Sequence, residues 1–142
     1  MNTIRKGEIA CLQFELEAIR RDYIVSKPIT EERYDRIIDI DGELKRIQVK
    51  YADSSDKQSD NNIVVKLSTV AKPKSFKKNS KYLSKRYTQD EIDAVVAYVP
   101  KLDKFLWVDA VEFKNKAAIN IRLAPSKNGQ TKGCNFVDSF IW

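Results

Sequence analysis

At 142 residues and 42% hydrophobic, the chain holds enough apolar material for one domain, 1–142, with a core of its own. The absence of histidine excludes Ser-His and Cys-His nucleophiles and His-ligated zinc, and two cysteines, Cys11 and Cys134, make neither a disulfide framework nor a zinc site. A formal charge of +6 suits a polyanionic partner, while the lack of a membrane-length apolar run or a signal-peptide core predicts a soluble, cytoplasmic protein with no membrane contact.

In chain order, the stretch from about Ile4 to Tyr23 is predicted to be an amphipathic helix, with Ile9, Leu12, Leu16, Ile19 and Tyr23 forming one apolar stripe. Glu8 falls at the edge of that stripe, directed towards whatever the helix packs on; taken alone, it reads first as a partly exposed surface carboxylate. A short strand begins at Tyr23, and Pro28 breaks it. Residues 34–52 then read as two strands joined by Asp41-Gly42, the dipeptide suited to a two-residue hairpin turn with positive φ. With that loop, 40 faces 43, 38 faces 45, and Asp35 stands opposite Gln48. Side chains alternate along a strand and cross-strand partners share a face. Asp35, Gln48 and Lys50 therefore gather on one side, while Ile38, Ile40, Ile47 and Val49 cover the other. A carboxylate, an amide oxygen and an ammonium at one spot can hold a hard metal ion beside a phosphate. Asp39 shares the face of Asp35 and ranks second as a ligand.

Residues 53–62 form a polar connection, and Ile63 to Leu67 is β-branched and apolar enough for a central strand. Next come Lys72, Lys74, Lys77, Lys78, Lys81, Lys85 and Arg86, with no acid among them. With these seven of the 26 basic residues set apart, 19 remain against 20 acids, so the positive field is local. Interleaved with Phe76, Tyr82 and Tyr87, the segment 72–87 suits a polyanion. Thr88-Gln89-Asp90-Glu91 has the form of a capping box and predicts one turn of helix. Strands are predicted over Ala94–Val99 and Phe105–Val108, a short helix over Asp109–Phe113, and another strand over Ala117–Leu123. The aromatic tail, Cys134 to Trp142, is expected to dock on the body. A helix followed by strands with few helical interruptions makes an α/β arrangement around a mixed sheet.

A helix carrying Glu8, Asp35 on one strand and Gln48-Val49-Lys50 on the next is similar to the PD-(D/E)-x-K nuclease pattern. Lys6-Gly7-Glu8-Ile9-Ala10, Tyr34-Asp35 and Ile47-Gln48-Val49-Lys50 resemble the small PD-(D/E)-x-K homing endonuclease family of bacterial introns. Glu91-Ile92-Asp93 before an apolar strand and Ile121-Arg122-Leu123 near the end also fit, so the likeness runs from Lys6 to about Trp142. Tyr34 stands where a proline often precedes the aspartate. Gln48 replaces the second acid, as it does in the homing group.

The resemblance implies an α/β, restriction-endonuclease-like core: a mixed β-sheet flanked by helices. It implies Mg²⁺-dependent hydrolysis of double-stranded DNA, of the site-specific homing type. Asp35 would anchor the metal, Gln48 would be an oxygen ligand or organiser, the Val49 carbonyl a further ligand, and Glu8 a ligand directly or through water. Lys50 would orient or help deprotonate the attacking water and offset charge on the scissile phosphate. The basic residues from Lys72 to Arg86 would contact DNA, and Asp93 reads as structural. One metal site cuts one strand, so a homodimer or homotetramer is expected. Two alternatives stay open: a structure-selective nuclease resembling Holliday-junction resolvases, and a non-catalytic DNA-binding protein.

Overall fold

The structure, a computed structural model, describes residues 1–53, 61–71, 83–125 and 127–142. Lys72, Lys74, Lys77, Lys78, Lys81 and most of the polar connection at 53–62 lie outside the described residues. Helix α1 (Thr3–Arg20) is followed by β1 (Ile24–Ser26), β2 (Arg36–Ile40), β3 (Glu43–Tyr51), β4 (Asn62–Lys66) and β5 (Ser68–Ala71). Then come β6 (Leu83–Arg86), β7 (Ala94–Val99), β8 (Lys104–Asp109), β9 (Ala118–Arg122) and β10 (Asn135–Phe136). A five-stranded sheet runs β1-β2-β3-β7-β8, a three-stranded sheet β10-β9-β4, and β5 pairs with β6 as a ribbon.

The hairpin register is the one read from the turn. Ile40 pairs with Glu43 and Ile38 with Lys45. Asp41 (φ 54°) and Gly42 (φ 93°) both sit in the left-handed region that a two-residue turn demands. The Gly42 N–H donates to Asp39 Oδ1 at 2.6 Å, which commits Asp39 to the turn. β3 then lies parallel to β7, and every other pairing in the large sheet is antiparallel, so the sheet is mixed. Asp93 fastens the parallel pair at its start: its N–H donates to Arg46 O (2.9 Å), and its Oδ2 accepts from Arg46 N (2.7 Å).

β7 is buried throughout, because both of its faces meet a core. Ala94, Val96 and Tyr98 face α1, with Ala10, Phe14 and Ala18. Val95, Ala97 and Val99 face the other way, onto Ile63 and Val65 of β4 and Ile119 and Ile121 of β9. One face of the large sheet is thus covered by the helix and the other by the small sheet. The run 63–67 accordingly does not form the central strand expected of it; β4 lies at an edge of the small sheet, and β7 takes the place beside β3.

The helix also turns a different face inward. Ala10, Cys11, Phe14 and Ala18 are buried, whereas Leu12 (60% exposed), Leu16 (43%) and Ile19 (64%) look outward. Periodicity weighs large side chains most. Here two alanines let the helix approach the sheet closely, and one phenylalanine fills the gap, stacking on Trp142 at 5.3 Å between ring centroids. The tail does dock: Trp142 also packs edge-on against Phe105, and its N–H donates to Phe105 O. Thr88–Glu91 is a turn rather than a helix, and Ala110–Glu112 forms a single 3₁₀ turn.

Candidate active site

β2 pairs with β3 only as far as Arg36 and Ile47, where Asp35 N donates to Ile47 O at 2.9 Å. Beyond that point, among the described residues, β3 keeps a strand neighbour on its β7 side alone, and its other edge opens into a cleft of about 600 Å³. The cleft runs between the first turns of α1, with Lys6, Glu8 and Cys11, and the β4–β5 region, with Val65 and Ser68. Asp35, Gln48, Val49 and Lys50 line it between them. Glu8 reaches it because the cleft wraps around the open strand edge, so a side chain from the helix layer meets residues of the sheet's opposite face.

On that edge the Val49 N–H lacks a strand partner, and the carboxylate of Asp35 takes its place, accepting at Oδ2 (3.0 Å). The same oxygen accepts from Gln48 Nε2 at 2.6 Å. Gln48 therefore turns its NH₂ group, not its oxygen, towards Asp35, and Nε2 also makes a long contact (3.4 Å) with Val49 O. Oδ1 of Asp35 is left without a hydrogen bond among the described residues. Burial pushes the Asp35 carboxyl above its ordinary value; the Val49 N–H and the charges of Lys50 and Arg36 pull against it, and Glu8 adds to the rise. A cation beside Asp35 would supply the charge that burial and Glu8 make costly to leave unmatched. Arg36, nearly buried, steadies the entry to the strand by donating to Asp35 O (2.7 Å) and Glu15 Oε1 (2.5 Å).

Lys50 extends from the same strand without forming an ion pair with Asp35. Its ammonium donates to the Tyr87 hydroxyl (3.1 Å) and, at 3.4 Å, to Ser68 O. Cys11, on the wall, is a thiol whose pKa burial raises to about 11, with the Asp35 charge adding to the effect, so it stays protonated at neutral pH. At the mouth, Lys6 pairs with Asp53.

The donors fit a hard cation. Two carboxylates, an amide and a backbone carbonyl offer oxygen, and no imidazole is present. Among the described residues no cluster of three or more His, Cys, Asp or Glu is placed to hold a metal, so water or a substrate oxygen must complete any coordination shell. If Gln48 is to give its oxygen, its amide must turn away from Asp35.

All four side chains expected at the site, and Val49, thus share one cleft. Lys85 and Arg86 lie elsewhere, exposed on β6. Lys85 pairs with Glu91 at 3.4 Å, and Arg86 donates to Asn115 O. Two groups that touch Lys50 carry no recognisable signal in the sequence: Tyr87 reads as one of the aromatics of the basic segment, and Ser68 contributes only a carbonyl.

Residues 1–142 match the family described as PD-(D/E)XK endonuclease. No curated protein matches the chain. Among solved structures, the bacterial homing endonuclease I-Ssp6803I is similar, with 25% identity and a TM-score of 0.75 over 99% of this chain and 89% of that one.

Proposed function

The chain belongs to the PD-(D/E)XK endonuclease family, and from that premise we propose that it is a Mg²⁺-dependent endonuclease acting on double-stranded DNA at specific sites, in the manner of a homing enzyme. The observation that carries the reading is the gathering of Glu8, Asp35, Gln48, Val49 and Lys50 around one open strand edge. The likeness to a bacterial homing endonuclease supports the site-specific form.

Mg²⁺ bound there would offset charge on the phosphate and lower the barrier to deprotonating the attacking water. Asp35 would hold the ion through Oδ1, with Glu8 and the Val49 carbonyl as further oxygen donors lining the same cleft. Gln48 supplies its amide oxygen or keeps Asp35 in place with its NH₂ group. Lys50 orients the attacking water, takes part in its deprotonation and balances charge on the phosphoryl oxygens. The basic residues of 72–87 contact backbone phosphates, which position a duplex without reading its sequence. A single cleft cuts one strand, so double-strand cleavage calls for two copies related by symmetry, as a homodimer or homotetramer.

The amide–carboxylate hydrogen bond favours a second reading. An Asp35 with one oxygen already engaged by Gln48 and the Val49 N–H would also suit a protein that binds DNA without cutting it. Cleavage selection on a randomised duplex library in Mg²⁺, with Lys50→Ala alongside, decides between them. One enriched long site, cut by wild type and not by the variant, supports the homing enzyme. Cutting confined to branched DNA points to a structure-selective nuclease. Retention of DNA with no cutting assigns the protein to the binders.

A further inference from the structure

We propose that Tyr87 is the positioning residue for Lys50, an inference that rests on the catalytic role given to Lys50 above. A lysine side chain carries several rotatable bonds, and leaving its ammonium unanchored in an open cleft would spread it over many positions. Here two oxygens hold it from one side: the Tyr87 hydroxyl at 3.1 Å and the Ser68 carbonyl at 3.4 Å. An ammonium has three N–H donors. With two directed at these oxygens, the third is left for the cleft, where a water or a phosphoryl oxygen would accept it.

Tyr87 is built to keep its hydroxyl still. Its ring is buried, at 3% exposure, and its N–H donates to Leu67 O at 2.9 Å. The guanidinium of Arg33 lies over the ring at 4.4 Å from the centroid. Arg33 is itself fixed by Glu91 (2.8 Å) and by the Arg86 carbonyl (3.1 Å). Nothing in an ordinary core position calls for a tyrosine hydroxyl directed at a lysine, since the apolar part of the ring would fill the same space. The two oxygens also come from the two roots of the β5–β6 ribbon. Ser68 opens β5, and Tyr87 follows the last residue of β6, with Ser68 paired to Arg86 between them. The ammonium is thereby tied to both ends of the segment that holds the basic residues.

Tyr87→Phe keeps the ring, its burial and the Arg33 contact while removing the hydroxyl. Three readouts apply to it: binding of the selected duplex without divalent metal, single-turnover cleavage in Mg²⁺, and the ¹⁵Nζ–proton correlation of Lys50 in the free protein. The expected result is a cleavage rate lower by roughly ten- to a hundredfold, because a displaced catalytic group loses about that much. Binding should stay within about twofold. The Lys50 ammonium signal should broaden or vanish while that of Lys6, paired with Asp53, persists. An unchanged Lys50 signal, an unchanged cleavage rate, or a loss of binding that accounts for the loss of cleavage overturns the proposal. If wild type cuts no duplex, the nuclease reading has failed, and the Lys50 signal by itself decides whether Tyr87 holds the ammonium.

Discussion

Asp93→Asn separates a structural acid from a catalytic one. Asp93 binds Arg46 through three contacts: Oδ2 accepts from the Arg46 N–H (2.7 Å) and from Nε (3.2 Å), and Oδ1 accepts from Nη2 (3.2 Å). Burial pushes the carboxyl up, but these bonds and the charge of Arg46 outweigh it and hold the carboxyl below its ordinary value of 3.8. A hydrogen bond to a charged group contributes about 1.5–3 kcal/mol when buried. Both side chains here are 36% exposed, and water screens the pair, so the lower end applies. Asparagine keeps one acceptor and removes the charge, for a cost of about 1–2 kcal/mol at pH 7, or about 5 °C in Tm.

The sign with pH follows from the depressed value. The unfolded chain binds the proton more readily, so this contribution is full above the ordinary aspartate range and disappears as pH falls through the lower folded value. Urea melts of wild type and variant should therefore differ at pH 7 and converge in strong acid, while cleavage by the folded variant stays within about threefold. A gap that persists unchanged into acid would refute the ion-pair account. A loss of cleavage of a hundredfold or more, with stability unaltered, would place Asp93 in the chemistry.

Asp35→Asn should abolish cleavage yet raise the Tm of the metal-free protein, because burial makes its charge unfavourable in the folded state and that penalty grows as pH rises through the elevated pKa; Mg²⁺ should raise the Tm of wild type and not of the variant. Gly42→Ala forces a Cβ onto φ +93° where no neighbour crowds it, so chemical melts should show a cost of about 1–2 kcal/mol from the backbone alone. Phe14→Ala should cost about 3–5 kcal/mol and Leu12→Ala less than about 0.5 kcal/mol in the same assay; the reverse order would restore the helix face expected from periodicity. If all seven basic residues from Lys72 to Arg86 meet phosphates, log K should fall with log salt at a slope of about −6, and a slope of about −4.5 would mean that Lys85 and Arg86 keep their partners Glu91 and Asn115.

The hairpin was legible because its information is local. Asp41-Gly42 selects the turn, the turn sets the register, and the register puts Asp35 opposite Gln48 before any tertiary contact exists. The run Ala94–Val99 announced a strand by its lack of alternation. The helix was legible as a helix but not by its face. Hydrophobic spacing cannot tell that Ala10 and Ala18 would meet the sheet while Leu12 and Leu16 would not. The position of β4 was equally hidden, since an apolar strand reads alike at a centre or an edge when both of its sides meet other layers.

By itself the sequence determined the chemistry available: no imidazole, a carboxylate and an amide in cross-strand register, a lysine two residues on, and a local basic segment. Only the tertiary structure decided where that chemistry operates. β2 begins to pair with β3 only at Arg36 and Ile47, which leaves the edge carrying Val49 without a strand on that side among the described residues, and the helix brings Glu8 around that edge. It also decided that Gln48 meets Asp35 through nitrogen and that Tyr87 holds Lys50. Those contacts join residues 13 and 37 positions apart. Turn chemistry can specify the first pair but not which amide atom faces the acid, and no local rule reaches the second, because it arises only when separate layers pack.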